Sequence, residues 1–148
     1  LVMPEDQGYC TGFIIASEWI ITAAHCFGDQ GFNGSIEINM GAHDQLEESI
    51  KVITSSVTIH PDYYIKGPEF DIALIHVENE IKISKITNII PIESRKWPKH
   101  ELRRHCYTVG YGYHFNVERI GVLHGGQVTA GFGVYPGNCN IAKRYNKK

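Results

Sequence analysis

Hydrophobic positions along the chain come in short runs punctuated by turn residues. Phe13-Ile14-Ile15 and Trp19-Ile20-Ile21-Thr22 lie on either side of Ala16-Ser17-Glu18. Ile36-Glu37-Ile38-Asn39-Met40 alternates apolar and polar, the period of a half-buried strand. Val57-Thr58-Ile59 alternates again and stops at His60-Pro61. Ile72-Ala73-Leu74-Ile75-His76-Val77 is more continuously apolar and predicts a strand inside a sheet structure. Tyr107-Thr108-Val109-Gly110-Tyr111 and Gly126-Gln127-Val128-Thr129-Ala130 predict two more strands. Gly28-Asp29-Gln30-Gly31, Lys66-Gly67-Pro68 and Tyr135-Pro136-Gly137-Asn138 are turn signals between them. A helical turn fits only near Ala142-Lys143-Arg144-Tyr145. Many short strands with Gly/Pro turns predict an all-β barrel or sandwich. The stretch from Glu93 to Arg104, mostly polar and containing Pro98, reads as a link between two β units.

The 148 residues suffice for one ordinary domain with a sizeable core. A 43% hydrophobic and 20% charged composition reads as soluble and globular. Fourteen basic against 16 acidic residues leave a net charge of −2, which argues against a nucleic-acid partner; Lys143-Arg144 and Lys147-Lys148 are too few to change that. No apolar run is long enough to cross a bilayer, so no membrane role is expected. The sequence opens on Leu1 without an initiating Met or a leader pattern, which reads as a cut or incomplete start.

Four cysteines stand at 10, 26, 106 and 139 with no Cys-x-x-Cys pair, so neither a zinc ribbon nor a thioredoxin-like site is expected. An even count fits disulfides and an oxidising compartment. Asn33-Gly34-Ser35 is an N-glycosylation sequon in a Gly-rich loop, which makes Asn33 a glycosylation candidate.

Ile20-Ile21-Thr22-Ala23-Ala24-His25-Cys26 resembles the segment around the catalytic His of chymotrypsin/trypsin-like serine proteases, whose mark is Thr/Ser-Ala-Ala-His-Cys. Cys10-Thr11-Gly12-Phe13-Ile14-Ile15 is similar to the family's Cys-Gly-Gly-Ser-Leu-Ile, with Thr11 in place of a Gly. Phe70-Asp71-Ile72-Ala73-Leu74-Ile75 resembles the Asn-Asp-Ile-Ala-Leu-Leu that holds the catalytic Asp, and His60-Pro61-Asp62-Tyr63 precedes it at the usual distance. Gly41-Ala42-His43-Asp44, Ile90-Pro91-Ile92 and Cys106-Tyr107-Thr108-Val109-Gly110-Tyr111-Gly112 follow in family order, with Tyr111 where Trp is usual.

That resemblance, from about Leu1 to about Tyr145, implies a double β-barrel. Residues 1–95 are expected to form a nearly complete first barrel, 96–104 the link, and 105–148 part of a second barrel. It implies a serine-type endopeptidase, or a fragment of one, acting on protein or peptide substrates, met by protease inhibitors, secreted, and needing no cofactor. His25 would be the base and Asp71 the carboxylate that orients it. The chemistry suits those residue types. A neutral imidazole with an ordinary pKa of about 6.5 can take a Ser proton and return it, and a carboxylate on its other nitrogen fixes the tautomer. Cys10 and Cys26 would pair, with a stabilisation of about 3 kcal/mol by the loop-entropy model. The other seven histidines, at 43, 60, 76, 100, 105, 114 and 124, read as structural or surface residues.

The family's Gly-Asp-Ser-Gly-Gly does not occur, and none of the seven serines (17, 35, 49, 55, 56, 84 and 94) aligns with the nucleophile. The oxyanion-hole donors and the specificity pocket belong to that same region. The 148 residues alone are therefore expected to be inactive. Cys106 and Cys139 match family cysteines whose partners lie downstream. Ala42 stands where some members carry a calcium-ligating Glu, and no metal site is expected. Residues after about Arg104 should present open sheet edges and be marginally stable or associate. The alternative is a non-catalytic protease homologue acting as a secreted binding or regulatory module.

Overall fold

The computed structural model describes residues 9–28, 32–66, 70–95, 103–112, 120–132 and 140–144. Strands dominate them. β1 (Phe13–Ala16) turns into β2 (Trp19–Thr22), and a 3-10 helix follows at Ala24–Phe27. β3 (Ile36–Met40), β4 (Ile50–Thr54) and β5 (Val57–Ile59) come next, then a single α-helical turn, α1 (Tyr63–Lys66), and β6 (Ala73–His76). β7 (Arg103–Gly110), β8 (His124–Phe132) and β9 (Asn140–Arg144) complete the order. The all-β class expected from the pattern is what forms.

β1, β2, β6 and β5 make a four-stranded sheet in that order, β3 and β4 a ribbon, and β7, β8 and β9 a three-stranded sheet. All pairs are antiparallel, and the sheets stay unclosed, as partial barrels do. Register follows burial. Ile20 of β2 faces Ile75 of β6, which also faces Val57 of β5. The core gathers Ile20, Phe27, Ile36, Ile38, Met40, Ala73, Ile75, Val77 and Ile81. Each large aliphatic side chain buried there contributes roughly 1.5–3 kcal/mol. In β3 the odd-spaced Ile36, Ile38 and Met40 are buried and Glu37 and Asn39 are not, as the alternation predicts.

Three local expectations change. β4 carries no signal strong enough to have been singled out; pairing with β3 from Ile36↔Thr54 to Met40↔Ile50 makes it a strand. The helical turn expected at 142–145 is a strand through Arg144 instead. Its backbone pairs with β8 from Phe132↔Asn140 to Val128↔Arg144, and a ladder of that length overrides a weak local preference. Arg103 and Arg104, in the stretch expected as a link, already belong to β7, while 96–102 lie outside the described residues. The turn signals at 29–31, 67–68 and 135–138, and also Cys139, His100 and His114, lie outside them too.

A polar junction ties the first sheets to the last. An isolated bridge pairs Asp44 with Val122. Gln45 N–H donates to the Gly121 carbonyl at 2.8 Å, and Leu123 N–H to that of His43 at 2.8 Å. The Tyr111 hydroxyl donates to the Ala42 carbonyl at 2.6 Å, and Tyr111 N–H donates to Thr11 Oγ1 at 3.0 Å. Glu47 is also engaged within this loop, its Oε2 accepting from His43 N–H at 3.0 Å. No described helix is long and apolar enough to cross a membrane.

Candidate active site

β2 ends at Thr22, Ala23 is extended, and the chain then tightens into the 3-10 helix. That turn buries Ala24, Cys26 and Phe27 and leaves His25 outside, with 64% of its side chain exposed. Three anchors on the core thus present one imidazole. Gly28 closes the turn with φ 73° and ψ 177°, a backbone state that a side chain would strain. Its N–H donates to the His25 carbonyl at 3.3 Å.

Asp71 reaches the same place from the neighbouring strand, since the start of β6 lies beside the end of β2, Ala73 opposite Thr22. It stands two residues before β6, and the Ile72 carbonyl accepts from His60 N–H at 3.0 Å. The His60 ring stacks on Phe70 at 4.9 Å, and Lys66 lies 5.4 Å over the Phe70 ring. Asp62 N–H donates to His60 Nδ1 at 3.1 Å, so that histidine is committed to the turn. On the far side of the 3-10 helix, the Tyr64 hydroxyl donates to the Gly28 carbonyl at 3.0 Å. His60, Tyr64 and Phe70 therefore buttress the pair. The sequence motif marked their neighbourhood but not these contacts.

The two side chains meet across 46 positions of sequence. Asp71 Oδ1 accepts from His25 N–H at 2.8 Å, and Oδ2 lies 2.8 Å from His25 Nδ1. The two contacts fix both the carboxylate and the ring plane. An ionised carboxylate only accepts, so Nδ1 carries the hydrogen and Nε2 keeps its lone pair. Burial raises the Asp71 carboxyl, but hydrogen bonds from the His25 ring and backbone and the charge of His25 outweigh it, and the net shift is downward. The carboxylate is thus held ionised as an acceptor. All seven serines lie among the described residues, and none gives His25 Nε2 a partner there. Ser49 and Ser84 are instead engaged with Asn39 and Thr87.

Cys10 and Cys26 are bonded to each other, their Cα atoms 6.3 Å apart. The bridge ties the lead-in to β1 to the residue after His25. The ligand atoms of Cys10, Cys26 and His25 all lie within 4.8 Å of one another, but a disulfide offers no thiolate to a metal. Asn33 is exposed on the loop that follows. Cys106 is a free, half-buried thiol on β7. Of the remaining histidines, His76 packs on Trp19 at 4.8 Å, and His43 and His105 are exposed.

Known proteins with this pattern converge on one family. The family model "Trypsin" matches residues 3–145. A mouse (Mus musculus) tryptase is 31% identical over 112 residues, which is 70% of this chain and 38% of the relative. Bovine (Bos taurus) coagulation factor XI is 30% identical over 115 residues, 74% of this chain and 18% of the relative. The chain thus spans well under half the length of these relatives. Among solved structures, that of GrC superposes with a TM-score of 0.67 at 23% identity, covering 84% of this chain and 54% of the other. A scabies mite inactivated protease paralogue, S-D1, superposes with 0.64 at 24%, covering 80% and 51%. At those identities the structures establish the fold, and the match over residues 3–145 establishes the lineage: this chain belongs to the trypsin family.

Proposed function

We propose that His25 and Asp71 are the general base and its orienting carboxylate in a serine endopeptidase, of which these 148 residues supply one part. The observation that carries the reading is the double contact of Asp71 with His25, at 2.8 Å to the backbone N–H and 2.8 Å to Nδ1. It leaves Nε2 as the proton acceptor. In this mechanism a Ser oxygen gives its proton to Nε2 as it attacks the substrate carbonyl, and the imidazolium returns that proton to the leaving amine. The carboxylate stabilises the imidazolium throughout.

The Ser would come from a segment other than residues 1–148, since Gly-Asp-Ser-Gly-Gly is not among them. Residues 1–148 alone therefore carry out no acyl transfer. In the same reading 1–95 are the first barrel and 105–148 part of the second, joined by 96–104. Substrates are proteins or peptides, and protein protease inhibitors are the expected opponents. The Cys10–Cys26 disulfide supports export to an oxidising compartment.

The decisive experiment joins the reading frame beyond codon 148 to these residues and treats the product with a fluorophosphonate. Labelling of the complete product, lost in His25→Ala, is expected. A folded complete product that carries Gly-Asp-Ser-Gly-Gly yet stays unlabelled refutes the enzyme. Labelling of the 148-residue chain alone refutes its inactivity. The absence of that motif from these residues favours one other reading, a secreted homologue that binds a protease, substrate or partner without cutting. A stop codon directly after Lys148 in the natural transcript supports that one.

A further inference from the structure

We propose that Asn33 is an N-glycosylation site, taking one oligosaccharide from a lipid-pyrophosphate donor, beside the turn that presents His25. Asn33-Gly34-Ser35 is the only Asn-x-Ser/Thr triplet in the sequence. All three residues are exposed, and Gly34 bends the chain just before β3 begins at Ile36. Among the described residues neither the Asn33 amide nor the Ser35 hydroxyl has a hydrogen-bond partner, so the fold uses neither side chain. Ile36, the next residue, is fully buried and anchors the loop without them. A bulky hydrophilic chain at Asn33 therefore displaces no core contact and stays in solvent.

A second, independent observation concerns the compartment. Cys10 and Cys26 form a disulfide, which is made and kept where the redox environment is oxidising. In a eukaryotic cell that lumen also holds the oligosaccharide donor and its transferase. In the transfer, Asn33 Nδ2 bonds to C1 of the first N-acetylglucosamine and the bond from C1 to the lipid pyrophosphate breaks. The amide gives up one proton, and the lipid pyrophosphate leaves with the electron pair of the broken bond.

The location gives the modification a consequence. Phe32, one residue before Asn33, packs its ring on Phe27 at 5.2 Å, and Phe27 ends the 3-10 helix that holds His25. The sugar is thus tethered one residue from a ring that packs on the 3-10 helix carrying the imidazole. That consequence rests on the active-site reading above, whereas the modification itself does not.

The test reads sugar and not activity. The chain is expressed behind a secretion signal in insect cells, and in parallel translated in vitro with microsomes. Wild type, Asn33→Gln and Ser35→Ala are compared before and after peptide-N-glycosidase. The wild type is expected to run one glycan heavier than both variants and to collapse onto them after digestion. Because both altered side chains are exposed and unengaged, all three proteins should show the Cys10–Cys26 bridge in non-reducing mass spectra. Co-migration of wild type with Asn33→Gln before digestion in both systems overturns the proposal. The microsome arm reads the transfer even if a variant is retained in cells. Failure here leaves the fluorophosphonate outcome untouched, so the two readings fall separately.

Discussion

Asp71→Asn removes the charge of the carboxylate while keeping its shape. In the native pair, Oδ1 and Oδ2 both accept from His25, at 2.8 Å each. Asn can still offer one oxygen to the backbone N–H. Its NH2 group then faces Nδ1, which must become an acceptor, and the ring hydrogen moves to Nε2. A hydrogen bond to a charged group contributes about 1.5–3 kcal/mol and a neutral one about 0.5–1.5. The 64% exposure of the imidazole pulls the difference toward its low end, so the expected loss is about 1 kcal/mol or less at neutral pH. The sign with pH follows from the downward shift of the Asp71 carboxyl below its ordinary 3.8, which hydrogen bonds and charge from His25 impose against burial. A depressed carboxyl stabilises the fold above its unfolded value, and that contribution disappears as pH falls through the folded value. Urea unfolding of wild type and Asp71→Asn should therefore differ at neutral pH and converge in strong acid. Long-range proton–nitrogen correlation spectra on histidine-labelled chains should show hydrogen on Nδ1 in the wild type and on Nε2 in the variant. In a product completed with its Ser, that wrong tautomer should lower kcat about 10⁴-fold. A variant that keeps hydrogen on Nδ1, or a stability gap that persists in strong acid, refutes the reasoning.

Three further changes probe the frame around the pair. Cys10→Ser opens a disulfide spanning 16 positions and should lower unfolding free energy by about 3 kcal/mol; a wild type whose urea midpoint ignores reductant would contradict this. Gly121→Ala puts a side chain at φ 92°, where its Cβ also meets the Gln45 side chain, and should cost about 1–2 kcal/mol or more in thermal unfolding, with no loss taken as disproof. Tyr111→Phe deletes the 2.6 Å bond to the Ala42 carbonyl and should cost about 1 kcal/mol, read as faster amide exchange across 42–45 and 121–123; unchanged exchange there would show that the bond ties nothing.

Strands whose period two coincides with burial were legible in the sequence. β3 shows its alternation in residue types, and the structure buries Ile36, Ile38 and Met40 accordingly. β4 was not legible because Ile53 breaks the alternation by facing solvent at 69% exposure, while Thr54 on the other face is buried. Only its pairing with β3 makes it a strand, and pairing is a property of two segments. The same holds for β9, whose helical look yields to the β8 ladder. At the candidate site, the motifs around His25 and Asp71 marked both residues, yet 46 positions separate them. Their meeting depends on β2 and β6 lying side by side, with Thr22 opposite Ala73. The bond from His25 N–H to Asp71 Oδ1 and the support from Tyr64 and His60 leave no trace in residue types, because they run through backbone groups or unexceptional turn residues.

Three positions where the chain leaves its family's pattern lie on one hydrogen-bonded path. Thr11 stands where a Gly is usual, and Tyr111 where a Trp is usual. The structure joins them, since the Thr11 hydroxyl accepts from Tyr111 N–H at 3.0 Å. Thr11 Oγ1 would also lie 3.2 Å from a Cβ at Gly110, so the added side chain fits because its neighbour has none. The Thr11 carbonyl accepts from the Thr22 hydroxyl at 2.9 Å, which reaches the end of β2 just ahead of His25. Tyr111 in turn donates to the carbonyl of Ala42, the third departure. Burial raises its phenol, and the nearby Glu47 charge adds to the rise, so the hydroxyl keeps the proton that this bond requires. One hydrogen-bonded path thus runs from the Ala42 loop through Tyr111 and Thr11 to the strand that delivers the imidazole; the Thr11 and Tyr111 hydroxyls are its side-chain links at the departed positions, and Ala42 enters through its backbone carbonyl.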